Sequence, residues 1–170
     1  IEGRLKGPEY VAATTSAYRR AIDAAVAGRS VTLEPAERRE LEQVFSRGLT
    51  PGFLEGTRHQ RVVAGRFPRH RGVRVGTVIG RDDRGVRVRL EGPVKRGDGL
   101  VFDAGRAHET ELGGRVYEVL VDGRSEVVER DDGDVTLTFA NSVDLTDVSV
   151  GDWVWRNRDE ALEARIRARF

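Results

Sequence analysis

The 170-residue sequence contains neither cysteine nor methionine, and each absence has consequences. Without cysteine, the chain cannot form a disulfide framework, a zinc ribbon or a cysteine-ligated iron–sulfur cluster from its own residues. Without methionine, position 1 included, the chain is expected to be part of a longer protein. No apolar run approaches the roughly 18 residues of a membrane span, and no secretory signal is visible. We expect a cytoplasmic protein without membrane contact.

Signatures of well-known catalytic sites are also missing. The sequence has no Ser-His-Asp arrangement, GxSxG elbow, phosphate-binding loop or HExxH motif. Its three histidines, His59, His70 and His108, do not have the spacing of a zinc site. A histidine that is solvated or bonded to the backbone is the favoured interpretation, and we expect neither a metal ligand nor a cofactor in this chain.

Positive charge is concentrated in one stretch, although the net charge is only +1. We call residues 58–74 the arginine segment, because no acid interrupts its arginines. Such clustering is typical of a nucleic-acid-binding face, whereas an arginine-biased composition is the alternative explanation. The candidate RNA-binding residues are Arg58, Arg61, Arg66, Arg69, Arg71 and Arg74.

Two periodic patterns divide the chain. Helical spacing of apolar residues predicts one helix from Pro8 to Ala27 and another from Pro35 to Gly48. From Val73 the spacing changes to period two, and six or seven short strands predict a small antiparallel β-barrel, since closure removes exposed strand edges. Residues 156–170 return to helical spacing. The predicted fold class is α+β.

Glycine and aspartate mark the predicted turns, with hairpins expected at residues 81–85 and 130–133. The segments PVKRGDGLVF (93–102) and DVSVGDWVWR (147–156) share a valine, a Gly-Asp turn and an apolar strand, which predicts two similar barrel corners. The aromatic residues in the strands are assigned to core packing, with an exposed stacking platform at the two tryptophans as the alternative. These residues are Tyr117, Phe139, Trp153 and Trp155.

The first four residues, IEGR, permit two interpretations. They match a protease site used to remove purification tags, and they also fit a strand end directly before a helix. In the second case Glu2 and Arg4 point to the same side, at the strand end where α/β barrels place functional groups. Physical reasoning from these residues leaves the two interpretations equal.

The residues that follow IEGR carry a resemblance to a known family. IEGRLKGPEYVAATTSAYRRAID resembles the segment that closes the catalytic barrel of the collagenase-like peptidases of unknown catalytic type, family thirty-two, in which KIEGRMKSPEYVA is typical. FSRGLTPGFLEG is similar to the family's FNRGFTxGFLxG connector, and HRGVRVGTVIG and LEGPVKRGDGLVF are similar to the barrel extension of its longer members. The resemblance indicates that IEGR is native.

This resemblance implies a domain organisation. Residues 1–30 would be the last strand and helix of a truncated catalytic β/α barrel, and residues 31–57 a helix and a Gly/Pro connector. Residues 58–156 would form a β-barrel similar to domain two of translation elongation factors, and residues 157–170 a helical linker to a downstream region. An iron–sulfur cluster is expected in the upstream part of the parent, and the expected partners are its own catalytic barrel and ribosomal or transfer RNA.

The resemblance also supplies candidate site residues. Glu2 and Arg4 are the candidate catalytic residues at the barrel mouth, with Lys6, Glu9 and Tyr10 in support. Leu5 and Gly7 replace the Met and Ser that are usual in the family. We expect structural roles for the matched connector residues, which are Arg47, Gly48 and Gly52.

Three functions remain open on this basis. The parent is either an oxygen-independent hydroxylase of RNA or of a quinone precursor, or a genuine peptidase, and the longer family members are most similar to the ribosomal RNA group. In both cases this chain alone is expected to be inactive. The third possibility is a pure binding module that grips phosphates with salt-sensitive affinity.

Overall fold

The computed structural model describes residues 5–46, 49–54, 56–57, 70–105 and 112–169. Within these residues two helices come first, followed by seven strands and a third helix, so the predicted α+β class is confirmed. The helices are α1 (Pro8–Val26), α2 (Pro35–Val44) and α3 (Glu160–Arg167). The strands are β1 (Val73–Arg81), β2 (Val86–Leu90), β3 (Gly99–Asp103), β4 (Leu112–Val121), β5 (Arg124–Glu126), β6 (Gly133–Phe139) and β7 (Trp153–Arg158).

Helices α1 and α2 begin as their sequences predict, because each has proline in its first turn, where a missing amide costs no hydrogen bond. Helix α2 adds a capping box in which Glu34 and Glu37 exchange hydrogen bonds with each other's backbone. The prediction that α2 continues to Gly48 is wrong. Phe45 is already extended, with φ −170° and ψ 119°, which turns its ring towards neighbouring aromatic residues.

Six strands close into the predicted antiparallel barrel. Their order is β3-β7-β1-β2-β6-β4, and pairing of β3 with β4 completes the ring, while β5 is added at the outside of β4. The interior is filled mainly by valine, whose branched side chain suits a pleated, half-buried surface. The buried core residues include Val75, Val88, Val119, Leu137 and Val154.

The two Gly-Asp segments form equivalent corners, as their sequences predict. Oδ2 of Asp98 accepts a hydrogen bond from the Lys95 amide at 3.0 Å, and Oδ2 of Asp152 accepts one from the Ser149 amide at 2.9 Å. The preceding glycines have φ of 94° and 96°, values that favour glycine. Each corner then enters a strand, β3 or β7, and these two strands pair with each other.

The predicted hairpins have different outcomes. Residues 81–85 join β1 to β2, and Oδ1 of Asp82 accepts hydrogen bonds from the amides of Arg84 and Gly85. The hairpin predicted at 130–133 is wrong, because those residues connect β5 to β6, which do not pair with each other. The hairpin instead lies between β4 and β5, where Asp122 and Gly123 both have positive φ.

The three helices form a second, smaller core beside the barrel. Ala13 of α1 packs with Leu162 and Ile166 of α3, and α2 contributes Leu41 and Val44. Strand β7 runs to Arg158, so the C-terminal helix begins later than the pattern from residue 156 suggested. The proposed domain boundaries stay a prediction. Within the described ranges, no helix has both the length and the apolarity that crossing a membrane requires.

Helix α1 presents its small residues inwards and its large apolar residues outwards. Ala13 and Ala24 are buried, whereas Val11, Tyr18 and Ile22 are exposed. These three residues share one stripe, because separations of seven and eleven residues return to nearly the same side of a helix. The outer stripe therefore lies on the side of α1 opposite α2 and α3.

We expect Gly76→Ala to destabilise the fold by about 1–3 kcal/mol, the usual cost of forcing an atom into a packed site. A Cβ at position 76 would lie 2.4 Å from the carbonyl oxygen of Arg89 and 2.8 Å from Cγ1 of Val88. Gly80→Ala on the same strand is the control, because its Cβ would meet nothing closer than 3.9 Å. Urea denaturation measures both variants, and equal midpoints would contradict the expectation.

Candidate functional site

The two sequence motifs of the N-terminal region meet at one aromatic ring. Nζ of Lys6 lies 3.2 Å from the ring centroid of Phe45, and the Tyr10 ring meets Phe45 edge-on at 6.0 Å. His70, which lies within the arginine segment, stacks on Phe45 with 5.4 Å between centroids. We call these four residues the junction cluster. It joins the first turn of α1, the end of α2 and the entry to the barrel.

His70 is held by backbone groups at its Nδ1 atom. The amides of Ser46 and Gly72 lie 3.0 and 3.3 Å from Nδ1, and the carbonyl oxygen of Ser46 lies 3.3 Å from the same nitrogen. Burial lowers the pKa of His70, and the charge of Lys6 acts in the same direction against backbone hydrogen bonds that raise it. The expectation of a backbone-bonded histidine is confirmed at this position.

Glu9 lies in the first turn of α1 and joins this turn to α3. Its carboxylate folds back towards Gly7 and forms an ion pair with Arg167. Backbone hydrogen bonding, followed by the bond from Arg167, lowers the pKa of Glu9. A carboxylate here is also favoured by the helix dipole. Of the predicted supporting residues, Lys6 and Tyr10 thus belong to the junction cluster, whereas Glu9 binds the C-terminal helix.

A pocket of about 350 Å³ opens beside the junction cluster. It lies between the first turn of α1, the end of α2, the end of β7 and α3, so all three helices and the barrel contribute to it. Its lining includes Glu9, Tyr10, Gln43, His70, Asn157 and Glu163. The volume is sufficient for a small polar molecule or a few side chains of a larger partner.

A buried polar cluster fixes the helices onto the barrel next to this pocket. Nε of Arg156 donates to Oε1 of Gln43 at 2.9 Å, and the side-chain nitrogen Nε2 of Gln43 donates to the backbone carbonyl of Arg156 at 2.9 Å. Nη1 of Arg156 lies 3.5 Å from both Asp98 and Asp159. Lys95 bridges the same two carboxylates, at 3.3 and 2.8 Å. One cluster therefore holds α2, a barrel corner and the start of α3.

The two carboxylates of this cluster differ in their protonation behaviour. Burial raises the pKa of Asp98, even though Arg156 and Lys95 favour its charged form. Burial would also raise the pKa of Asp159, but hydrogen bonds from the Lys95 ammonium and the Leu162 amide hold it below its ordinary value. Asp159 therefore serves as a charged N-cap for α3.

The two tryptophans lie on the outside of the barrel. On β7, Val154 and Arg156 are buried and alternate with Trp153 and Trp155, which are half-buried on the opposite side of the strand. The guanidinium of Arg74 lies 4.7 Å from the Trp153 ring centroid. We call Trp153, Trp155 and Arg74 the tryptophan face. The assignment of these tryptophans to the core is wrong, as it is for Tyr117, which is 59% exposed.

Arg71 has a different environment from that of Arg74. Its Nη1 atom lies 2.8 Å from Oδ2 of Asp103, and the side chains are only 5% and 2% exposed. Oδ1 of Asp103 also accepts a hydrogen bond from the Gly105 amide at 2.7 Å. In this structure the guanidinium of Arg71 is occupied inside the protein and does not face solvent, which argues against its inclusion in an RNA-binding surface.

The remaining predicted site residues lie outside the described residues. They comprise the candidate catalytic pair, four members of the arginine segment and two residues of the connector. In the described part of the chain, no group of three or more His, Asp or Glu side chains could hold a metal ion. The residues concerned are Glu2, Arg4, Arg47, Gly48, Arg58, Arg61, Arg66 and Arg69.

Comparison with known proteins found a match in the N-terminal part of the chain. Residues 1–64 match the model of peptidase family U32. This part of the chain is therefore similar to that family. It covers α1, α2 and the connector, whereas the barrel and α3 lie outside it. No curated protein matches the chain.

Sequence reasoning missed the residues that join the U32-matched region to the barrel. Phe45 and His70 belong to segments that were recognised, but their stacking depends on the tertiary arrangement. Arg156 and Gln43 lie 113 residues apart and have no local signal that would pair them. A usable signal existed only for Trp153 and Trp155, because their alternation with Val154 predicts that they share one side of the strand.

We expect Asp103→Asn to destabilise the protein by about 3–5 kcal/mol, because it removes the charge of a buried carboxylate that pairs with the buried guanidinium of Arg71. The double variant Arg71→Gln/Asp103→Asn should recover part of that stability. Asp134→Asn is the control, since it removes the exposed partner of Arg89 and should change little. Urea denaturation measures all three, and similar midpoints for Asp103→Asn and Asp134→Asn would contradict the structural role.

We expect His70 to reduce stability in acid. Its folded-state pKa lies below the ordinary value of 6.5, so the unfolded chain binds a proton first as the pH falls. The free energy of unfolding should therefore decrease as the pH falls through about 6.5, and less so in His70→Asn, whose amide oxygen can replace Nδ1. Denaturation at several pH values and NMR titration measure this. A midpoint at or above 6.5 for His70 would refute it.

Proposed function

We propose that this chain supplies a non-catalytic β-barrel that positions an RNA substrate for a cytoplasmic U32-family enzyme. One observation carries the proposal: the described end of the arginine segment is held where the U32-matched helices meet the barrel. His70 stacks on Phe45 of the matched region, and Arg71 is bound to Asp103 of β3. The acid-free stretch that contains Arg58, Arg61, Arg66 and Arg69 directly precedes these two anchors in the sequence.

The position of that anchor is consistent with a role of the arginine segment in binding RNA. A cationic segment attracts phosphates without reading sequence, and the contacts it makes fix the register of a nucleic acid on the protein. Because the anchor lies two residues from β1 and beside the junction cluster, RNA bound there would be close to both the barrel and the family motif. The barrel then serves as the rigid body that orients the substrate.

The chemistry that we propose for the parent is an iron–sulfur-dependent hydroxylation. The donor set of this chain does not fit a cluster held by thiolates, because its 170 residues include no cysteine. Ligands for such a cluster would have to come from elsewhere in the protein, and this chain contributes positioning only. Glu2 and Arg4 remain the proposed groups that orient substrate at the mouth of the catalytic barrel, since guanidinium groups suit anionic oxygens.

The same family match favours a second candidate, an accessory domain of a peptidase. In that case the barrel would hold a peptide or a collagen-like substrate rather than RNA. The exposed apolar stripe of α1, with Val11, Tyr18 and Ile22, supports either candidate, since it fits a helix that packs against further elements of a larger catalytic barrel.

We expect the chain to bind fluorescein-labelled stem-loop RNAs with an affinity that falls steeply with salt. Changing Arg58, Arg61, Arg66 and Arg69 to Gln should weaken binding by at least about tenfold at low salt. It should also reduce the slope of log K against log salt by about 0.7–0.9 for each phosphate that the variant no longer neutralises. Fluorescence anisotropy across a salt series measures both quantities.

A matched control removes the same amount of charge from exposed arginines elsewhere. These are Arg29, Arg39, Arg87 and Arg124, each changed to Gln. The control should retain the wild-type slope, and thermal denaturation checks that both quadruple variants stay folded. Absence of binding by the wild type at low salt, or equal weakening in both variants, would refute the RNA proposal and favour the peptidase accessory domain.

A further inference from the structure

We infer that the tryptophan face binds unpaired RNA by stacking bases on Trp153 and Trp155. This inference rests on the proposed function and names the form of RNA that the barrel takes. The chain contains only two tryptophans, and both lie on the same outer side of β7. Their ring centroids are 6.4 Å apart with planes at 59°, so they form an angled surface rather than a closed sandwich.

The surroundings of these rings come from three neighbouring strands. Trp155 is opposite Arg74 on β1 and Val101 on β3, while Trp153 is opposite Thr77 on β1. Residues on one side of adjacent strands form a continuous surface. The barrel core, which includes Val154 between the two tryptophans, lies on the other side. Neither indole is therefore needed to fill the interior.

One polar group of this surface has no hydrogen-bond partner among the described residues. It is the indole nitrogen of Trp155, which is buried. Leaving a buried donor unpaired is unfavourable. A carbonyl oxygen of a base, or a phosphate oxygen, that reached this nitrogen would remove the cost. The unpaired donor is an observation independent of the aromatic surface.

Charge on the face favours a nucleic acid over a peptide. Arg74 lies over the Trp153 ring and donates to Oε1 of Glu91 at 3.0 Å. The side chains of Arg74 and Glu91 are 35% and 45% exposed. Exposed ion pairs contribute little, so a phosphate can replace Glu91 at low cost.

The aromatic surface also selects between forms of RNA. Bases in a duplex are stacked on each other and present only their edges, whereas the bases of loops and single strands expose their faces to aromatic side chains. A half-buried tryptophan surface on a strand can accept such a face, with arginine beside it to hold the backbone. We therefore expect loops or single strands to bind, with little preference for sequence.

The first experiment uses the two tryptophans as reporters in the wild-type chain. We expect an RNA stem-loop with an unpaired loop of about ten nucleotides to quench tryptophan emission, and a fully paired duplex of equal length to quench it much less. Because there are no other tryptophans, the signal comes only from this face. A proline-glycine repeat peptide tests the alternative occupant in parallel.

The second experiment measures binding of the labelled stem-loop to variants by anisotropy. Trp155→Leu and Trp153→Leu keep an apolar side chain but remove the indole, and each should weaken binding by about tenfold, consistent with the removal of one stacked base. Tyr117→Leu is the matched control, because Tyr117 is an exposed barrel aromatic with an arginine, Arg96, 5.2 Å from its ring. It should bind as the wild type does.

The outcomes separate this inference from the proposed function. RNA binding without quenching, and without weakening in the tryptophan variants, would overturn the inference while leaving the barrel as an RNA-binding domain. No RNA binding at low salt would overturn both. Quenching by the peptide but not by RNA would assign the face to a peptide and overturn the inference. The quenching result does not depend on the variants folding correctly.

Discussion

The arrangement of this protein depends on one buried guanidinium. Arg156 lies near the end of β7 and contacts Gln43 of α2, the carbonyl of Pro93 and two carboxylates, Asp98 and Asp159. A buried charge is costly unless it is paired and hydrogen-bonded, so each contact constrains where its partner can be. The barrel corner, the end of α2 and the first turn of α3 are therefore fixed by the same side chain. Without it, Gln43 would lose its contact with the barrel, and only Lys95 would join the two carboxylates.

This constraint also explains the glycine at the barrel entry. A Cβ at Gly72 would lie 1.8 Å from the carbonyl oxygen of Arg156 and 3.0 Å from the side-chain nitrogen of Gln43. The φ of 72° at this residue would strain any other side chain. The close approach lets the chain pass directly from His70, which stacks on Phe45, into β1. His70 and Arg71 are thus adjacent in sequence, yet His70 contacts Phe45 at the end of α2 and Arg71 contacts Asp103 of β3.

Sequence patterns predicted the elements that local interactions determine. They did not predict the features that tertiary contacts determine. Alternating valines located the strands, and the Gly-Asp corners were found because their hydrogen bonds close within four residues. The hairpin at 130–133 failed because turn chemistry cannot show which strands pair, and β6 pairs with β2 and β4 instead. The two tryptophans were assigned to the core because large aromatic residues are usually buried. Their alternation with the buried Val154 instead places them on the outer side of β7. At the site, Lys6 and Tyr10 were predicted from the family motif, whereas Phe45 and His70 required the fold.

The junction cluster explains how a family motif and a barrel outside the family match can act as one unit. The KxPEY motif contributes Lys6 and Tyr10, and the FSRG motif contributes Phe45, to a single stack that His70 completes from the barrel side. Packed aromatic contacts of this kind are not continuously deformable, so a displacement of the barrel relative to α1 must break the stack. Arg4 precedes Lys6 by only two residues, which places the candidate catalytic segment in covalent proximity to the stack. If the barrel holds a substrate as proposed, the junction cluster keeps that substrate at a fixed distance from the first turn of α1, which is the condition that a positioning domain has to meet.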